Sequence, residues 1–136
     1  MTVAETAYIA GLIDGEGTIT MVRKHPNENR HLAVTISSTE RAMLDFVLST
    51  VGVGKITSKR AYKAHHRPSF TYAVHNRQAL QLLRQVGPFL LSYKAQRCEL
   101  ALRDYVRLTP RNGKYKPEVL QRRKSFEASF LATKPE

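Results

Sequence analysis

Apolar and polar positions recur along this chain with two periods, and the switches between them divide it into elements. Thr2 and Glu5 have the T-x-x-E spacing of a capping box, which starts a helix at about Val3. Ile9, Leu12 and Ile13 form its apolar sides, while Ala7, Gly11 and Gly15 recur at four-residue spacing on a face with almost no side chain. Gly15 and Gly17 read as the stop, through the left-handed conformations that glycine tolerates. Thr18 to Arg23 is rich in β-branched residues and reads as a strand, and Pro26-Asn27-Glu28-Asn29 as a turn. His31 to Ser37 alternates, with Leu32, Val34 and Ile36 on the buried face and His31, Ala33, Thr35 and Ser37 on a small, polar one. Ser37 and Glu40 read as a second capping box, opening a helix that runs to about Val51 and is stopped by Gly52 and Gly54.

A second hairpin follows, from Lys55 to about Tyr62 and from Ser69 to His75, around a basic loop. Asn76 reads as the cap of a short helix carrying Leu80, Leu82, Leu83 and Val86, which Gly87-Pro88 breaks. A longer helix is expected from about Ser92 to Arg107, and a last amphipathic one from Pro117 with Val119, Leu120, Phe126 and Phe130 as its apolar positions. Two strand–strand–helix units after an opening helix predict one α+β domain over residues 1–136, of αββαββα type. Its four strands would form an antiparallel sheet with helices on one face, and a helical extension would occupy about 115–133.

Charge changes the picture. The net charge is +11, and from Phe46 to Cys98 there are nine Lys or Arg and no acid. Residues 1–17 are the reverse, with Glu5, Asp14 and Glu16 and no base. A generic solvated surface would account for the size of the charge; a one-signed stripe points to a polyanion, and nucleic acid is the commonest. No membrane partner is expected, because no apolar run approaches the roughly 18–20 residues that cross a bilayer. No signal peptide precedes the first helix, so a soluble intracellular chain is expected. The single Cys98 lies in an apolar helical pattern, excludes an internal disulfide and reads as core. His65-His66 reads as a loop tip rather than a zinc site.

The candidate chemistry gathers where the first helix ends. Glu16 stands between two glycines beside a face that a second copy of the same helix could approach closely. That is a costly place for a carboxylate without a cation. Magnesium takes few protein carboxylates and completes its shell with water and phosphate oxygens, so one Glu16 from each of two subunits suits it. Asp14 reads first as a hydrogen-bonding group at the helix end.

The run Ile9 to Gly17, IAGLIDGEG, resembles the signature of the LAGLIDADG homing endonuclease family, differing at Ile9, Gly15 and Glu16. Lys94-Ala95-Gln96-Arg97-Cys98-Glu99 resembles that family's later helix, with Arg97 in place of its usual Gln. The resemblance covers about residues 3–107 and is silent on the C-terminal helix. It implies a curved sheet whose open face sits in the major groove of double-stranded DNA, and hydrolysis of phosphodiester bonds with Mg2+, whose sites Mn2+ or Ca2+ can also occupy. Glu16 and the Gly15 carbonyl would bind metal, and Lys94 would act on the reacting phosphate. The family often has a Gln after its second strand; Ser38 takes that catalytic-pocket role here, or the role is missing. Arg41 nearby is either a phosphate contact of the pocket or surface.

For DNA contact, strand alternation and charge nominate Thr20, Lys24, His31, Thr35, Lys55, Lys59, Arg67 and Thr71, with Arg23 and Arg60 on phosphates. Only one copy of the helix motif is present, so a homodimer joined through Ala7, Gly11 and Gly15 on a pseudo-palindromic site is expected. Two other readings stand beside it. One is an intron-splicing RNA cofactor or a non-cleaving DNA-binding relic on the same fold. The other is a basic RNA-binding housekeeping protein, which leaves Glu16 and the small-residue face unexplained.

Overall fold

The computed structural model describes residues 1–59 and 67–135, with Lys59 described by its backbone alone. Helix α1 spans Val3–Glu16 and starts at the expected capping box, Glu5 N donating to Thr2 Oγ1 at 3.0 Å and Thr2 N to Glu5 Oε1 at 2.8 Å. Its end differs from expectation. Gly15 is inside the helix, and Gly17 has φ −101° and ψ 175°, an extended conformation open to any residue. Glycine is needed there for space. A Cβ at Gly17 would lie 2.7 Å from the Ile13 Cα and 3.0 Å from the Thr35 carbonyl oxygen, so helix and strand can touch only where no side chain intervenes.

Strand β1 (Gly17–Val22) leads through a loop into β2 (His31–Ser38), followed by α2 (Arg41–Val51), β3 (Lys55–Lys59) and β4 (Ser69–His75). Helix α3 (Asn76–Val86) passes through a single 3-10 turn at Gly87–Phe89 to α4 (Lys94–Asp104), and α5 (Pro117–Ala132) ends the chain. The order across the antiparallel sheet is β1-β2-β4-β3. The expected extension of β3 to Tyr62, the His65-His66 tip and Arg60 lie outside the described residues.

All five α-helices contact the same side of the sheet's strands: α1 and α3 pack against β2, α2 against β4, α4 and α5 against β1. Ile19, Met21, Leu32, Val34, Ile36, Tyr72 and Val74 come from the sheet to meet Ile9, Ile13, Leu44, Val47, Leu80 and Leu83 from the helices. Each such side chain contributes about 1.5–3 kcal/mol by leaving water. Cys98 is buried in this core as expected, and burial pushes its thiol up to about 11.

Two expected caps are absent. Ser37 Oγ pairs with Thr71 Oγ1 across the sheet at 2.8 Å, and Ser38 Oγ instead accepts from Glu40 N at 2.9 Å, so α2 starts without a side-chain cap. Asn76 is the first residue of α3 rather than its cap, at φ 55°, and its Oδ1 accepts from the Tyr105 hydroxyl at 2.7 Å.

The C-terminal helix is held by a buried ion pair. Arg123, 1% exposed, donates through Nε to Glu127 at 3.1 Å and through Nη1 to the Leu108 carbonyl at 3.1 Å, with further bonds to Thr109 and the Arg30 carbonyl. Glu127 accepts in turn from Arg30 N at 3.2 Å, which ties α5 to the start of β2. No polar side-chain atom among the described residues is buried without a partner, so this pair carries none of the usual penalty of an uncompensated charge.

Candidate active site and nucleic-acid face

The site is built where α1 runs into β1. The last turn of α1 carries Asp14 and Glu16 and no base, so two carboxylates sit at the negative end of the helix dipole, each arrangement costing roughly 0.3–1 kcal/mol. The compensating cation comes from α4. Lys94 Nζ donates to the Ile13 and Asp14 carbonyls, both at 2.8 Å, and so closes the carbonyl end of α1 from outside. Burial draws the Lys94 ammonium below the ordinary lysine range, against the opposing charges of Asp14 and Glu16.

Asp14 has the structural role expected of it. Its carboxylate accepts from Leu91 N at 2.9 Å, from Ser92 N at 3.2 Å and from the Ser92 hydroxyl. Ser92 Oγ accepts in turn from Lys94 N at 3.2 Å, so Asp14 orients the residue that delivers Lys94. Burial raises the Asp14 pKa, but the Ser92 and Leu91 donors and the Lys94 charge outweigh it, and the carboxyl rests below its ordinary range.

Glu16 is different. It is exposed, and among the described residues its carboxylate has no hydrogen bond and no ion pair. A hard divalent cation would find there the Glu16 carboxylate and the Gly15 carbonyl, both oxygen donors. No group of three His, Cys, Asp or Glu is assembled among the described residues. The donors fit an ion that keeps most of its shell as water and substrate oxygens.

The face of the sheet away from the helices is arranged in rows by strand register. Nearest the Glu16 end lie Ser37, Thr71 and Thr57; then Thr18, Thr35, Ala73 and Lys55; then Thr20, Ala33 and His75. Val22 and His31 close the far end of β1 and β2, and the His31 and His75 rings approach to 5.3 Å. Burial, and then His75, hold His31 below its ordinary pKa. The expected residues Thr20, His31, Thr35, Lys55 and Thr71 thus share one open face, and Lys59 holds the next outward register position, opposite Ser69. Ser37, already placed on this face by the alternation, belongs with them, and so do Thr18, Thr57 and His75, which extending the same two-residue alternation would have found.

The remaining candidates lie around this face. Arg23 and Lys24 are exposed in the β1–β2 loop, where Arg23 donates to the Pro26 carbonyl at 3.0 Å, and Arg67 is exposed just before β4. Ser38 ends β2 at the end of the sheet where Glu16 leads into β1. Arg41 opens α2, 3.5 Å from Asp45, with its guanidinium 5.3 Å from the Phe70 ring centre. Arg97 is a residue whose role the sequence hid. It is buried, donates to the Ile19 and Thr133 carbonyls at 2.8 Å, and lies 5.4 Å and 5.3 Å from the ring centres of Tyr93 and Phe130. It braces α4, and hence Lys94, against β1 and the end of α5.

The small-residue face of α1 is open. Ala7, Gly11 and Gly15 are exposed, and a Cβ at either glycine would meet nothing within 4 Å.

The class of this architecture is plain: it is the α+β fold of the LAGLIDADG homing endonucleases, with the motif helix feeding the edge strand of a four-stranded sheet. The homing endonuclease I-CvuI in complex with its target superposes with a TM-score of 0.78 at 17% identity, over 96% of this chain and 82% of that one. The archaeal intron-encoded homing endonuclease I-Vdi141I, complexed with DNA, gives 0.74 at 17% identity over 98% and 86%. The LAGLIDADG meganuclease I-AabMI, bound to uncleaved DNA, gives 0.68 at 22% identity, over 91% of this chain but 44% of that one. No family model and no curated protein sequence matches the chain.

Proposed function

We propose that this protein is a site-specific endonuclease of double-stranded DNA that needs a divalent metal and works as a homodimer on a long pseudo-palindromic site. The observation that carries the proposal is Glu16: an exposed carboxylate without a partner, at the negative end of a helix, beside a lysine and at the edge of an open polar sheet face. A fold that only had to be stable would not keep a charge there. The DNA complexes of I-CvuI, studied in the presence of Ca and of Mg, support the same reading.

Glu16 and the Gly15 carbonyl would hold Mg2+, with Mn2+ or Ca2+ able to replace it. Bound there, the ion lowers the pKa of a water and neutralises charge developing on the phosphate. Glu16 supplies the ligand charge. Lys94, pinned by two carbonyls, stands ready as a positioned cation beside the scissile phosphate, and Asp14 fixes the turn that brings it there. Ser38 and Arg41, at the same end of the sheet, would line the pocket. The rows of hydroxyls on the sheet, with His31 and Lys55, would read base edges, while Arg23, Lys24, Lys59, Arg60 and Arg67 would take phosphates. The chain spans less than half of I-AabMI but most of I-CvuI, and one chain brings a single Glu16. Two copies meeting on their Ala7, Gly11 and Gly15 faces supply a carboxylate for each strand.

The test is selection of bound and cleaved duplexes from a randomised library in Mg2+, followed by Glu16→Gln on the selected site. The expected result is undiminished binding with cleavage lost by two or more orders of magnitude, within the range for removing one charge-stabilising group, about 10²–10³. Full activity in Glu16→Gln would overturn the metal role; tight binding by the wild type with no cleavage in Mg2+ or Mn2+ would leave a DNA-binding relic.

A further inference from the structure

We infer that a second basic surface, formed by Arg77, Arg84 and Arg111 beside the sheet, grips the phosphates of duplex DNA flanking the half-site that the sheet covers. The inference rests on the proposed DNA binding and adds to it residues outside the sheet and its loops. Two grooves meet on this flank. One, of about 560 Å3, runs from His75 along the first turn of α3 to Pro110 and Arg111; the other, of about 200 Å3, holds Arg84 and Val106. Arg77 and Arg111 line both grooves, so the two are continuous, and neither is lined by an acidic residue.

Three features make this a phosphate surface rather than a generic charged edge. Arg84 and Arg111 are exposed, and none of the three arginines forms an ion pair among the described residues, whereas Arg103 and Arg107 nearby are both engaged by Asp104. Arg77 is held in place, donating to the Thr109 carbonyl at 3.3 Å, which orders the 109–111 loop beside α3. The wall also includes Asn76, Arg77 and Gln78, the positive end of an 11-residue helix. His75 joins it to the sheet, because that residue lies both in the groove and in the Thr20–Ala33–His75 row of the open face. A duplex that crosses the rows toward His75 therefore leaves the sheet, at the end opposite Glu16, where this groove begins.

The experiment compares a duplex recovered by binding selection, trimmed to the contacted core, with the same duplex extended on one side by random sequence. Wild-type protein should bind the extended duplex more tightly. Three phosphate contacts predict that this advantage shrinks roughly 40-fold between about 50 and 200 mM salt. The variant with Arg77→Gln, Arg84→Gln and Arg111→Gln should bind the core normally and lose the advantage. Arg84→Gln with Arg111→Gln, which leaves the Thr109 bond intact, should lose most of it with thermal stability unchanged. Equal affinity of the wild type for core and extended duplex would overturn this inference while leaving DNA binding standing. Failure to bind any duplex would instead remove the reading beneath it. Loss of affinity for structured RNA alone, with duplex binding unchanged in the variants, would also overturn it.

Discussion

At the scale of single residues, the acidic pair at the end of α1 divides its labour. Among the described residues Asp14 accepts three hydrogen bonds and Glu16 none, although both stand in the same turn. Asp14→Asn should therefore cost about 1–3 kcal/mol of stability, the range for unmaking hydrogen bonds to a charged group, read by urea unfolding at neutral pH. Its pH dependence follows from the depressed pKa. A carboxyl lowered by folding gives stability that is complete above its unfolded pKa and disappears as pH falls through the folded one. The gap in unfolding free energy between wild type and Asp14→Asn should narrow as pH is lowered from about 5 to about 2. A gap that stays constant would mean that Asp14 acts by shape alone. The role of Asp14 was legible because a carboxylate at a helix C-terminus has to find donors. The roles of Arg97 and Arg123 were not, because an arginine becomes a brace only where carbonyls from distant elements converge on it. Arg97 is met by carbonyls from Ile19 and Thr133, residues that no local pattern connects.

At the scale of elements, the junction of α1 and β1 separates two glycines that sequence reasoning had treated alike. Gly17→Ala drives a methyl into the backbone of Ile13 and Thr35, which cannot yield, and should destabilise by about 1–3 kcal/mol or more. Gly15→Ala meets open space in a helix and should be neutral or slightly stabilising to the isolated subunit. Equilibrium unfolding of the two variants side by side checks the contrast. The α1–α4 contact makes a further prediction. Lys94→Met keeps the packing of the stem but leaves the Ile13 and Asp14 carbonyls without their donor, so stability should fall by about 1–3 kcal/mol together with single-turnover cleavage, while DNA affinity holds. Loss of affinity with normal turnover would make Lys94 a backbone contact only. Strand and helix order was readable because both periods are local. Caps were less so: Ser37 was drawn into a cross-strand pair with Thr71, a partner 34 residues away that competes with the adjacent helix for its hydroxyl.

At the scale of the whole molecule, the open face of α1 gives a separable test of assembly. Gly11→Leu adds a side chain whose Cβ meets nothing within 4 Å in the single chain, and leucine favours a helix over glycine by roughly 0.5–1 kcal/mol. The subunit should fold at least as well as wild type. It should nevertheless sediment as a monomer at micromolar concentration and lose double-strand cutting, because a second helix can no longer approach. A dimer that persists and cuts would place the two-fold contact elsewhere. The distribution of charge was the least legible property at this scale. The one-signed stripe in the sequence did not say where its cations would sit: the rows of the open face are mainly hydroxyls, and many cations lie on the loops and helices around it.

Lys94 closes the carbonyl end of α1, and this has a bearing on descent. On the proposed function, natural selection would act on that position twice, once through folding and once through cleavage, and the first demand would persist when the second lapsed. A lineage that stopped cutting DNA would be free to drift at Glu16, whose carboxylate supports nothing else among the described residues, while Lys94 would be kept for the sake of the helix. Among diverged copies of this chain, the lysine would then mark inheritance of the fold, and the acid those still under pressure to cut.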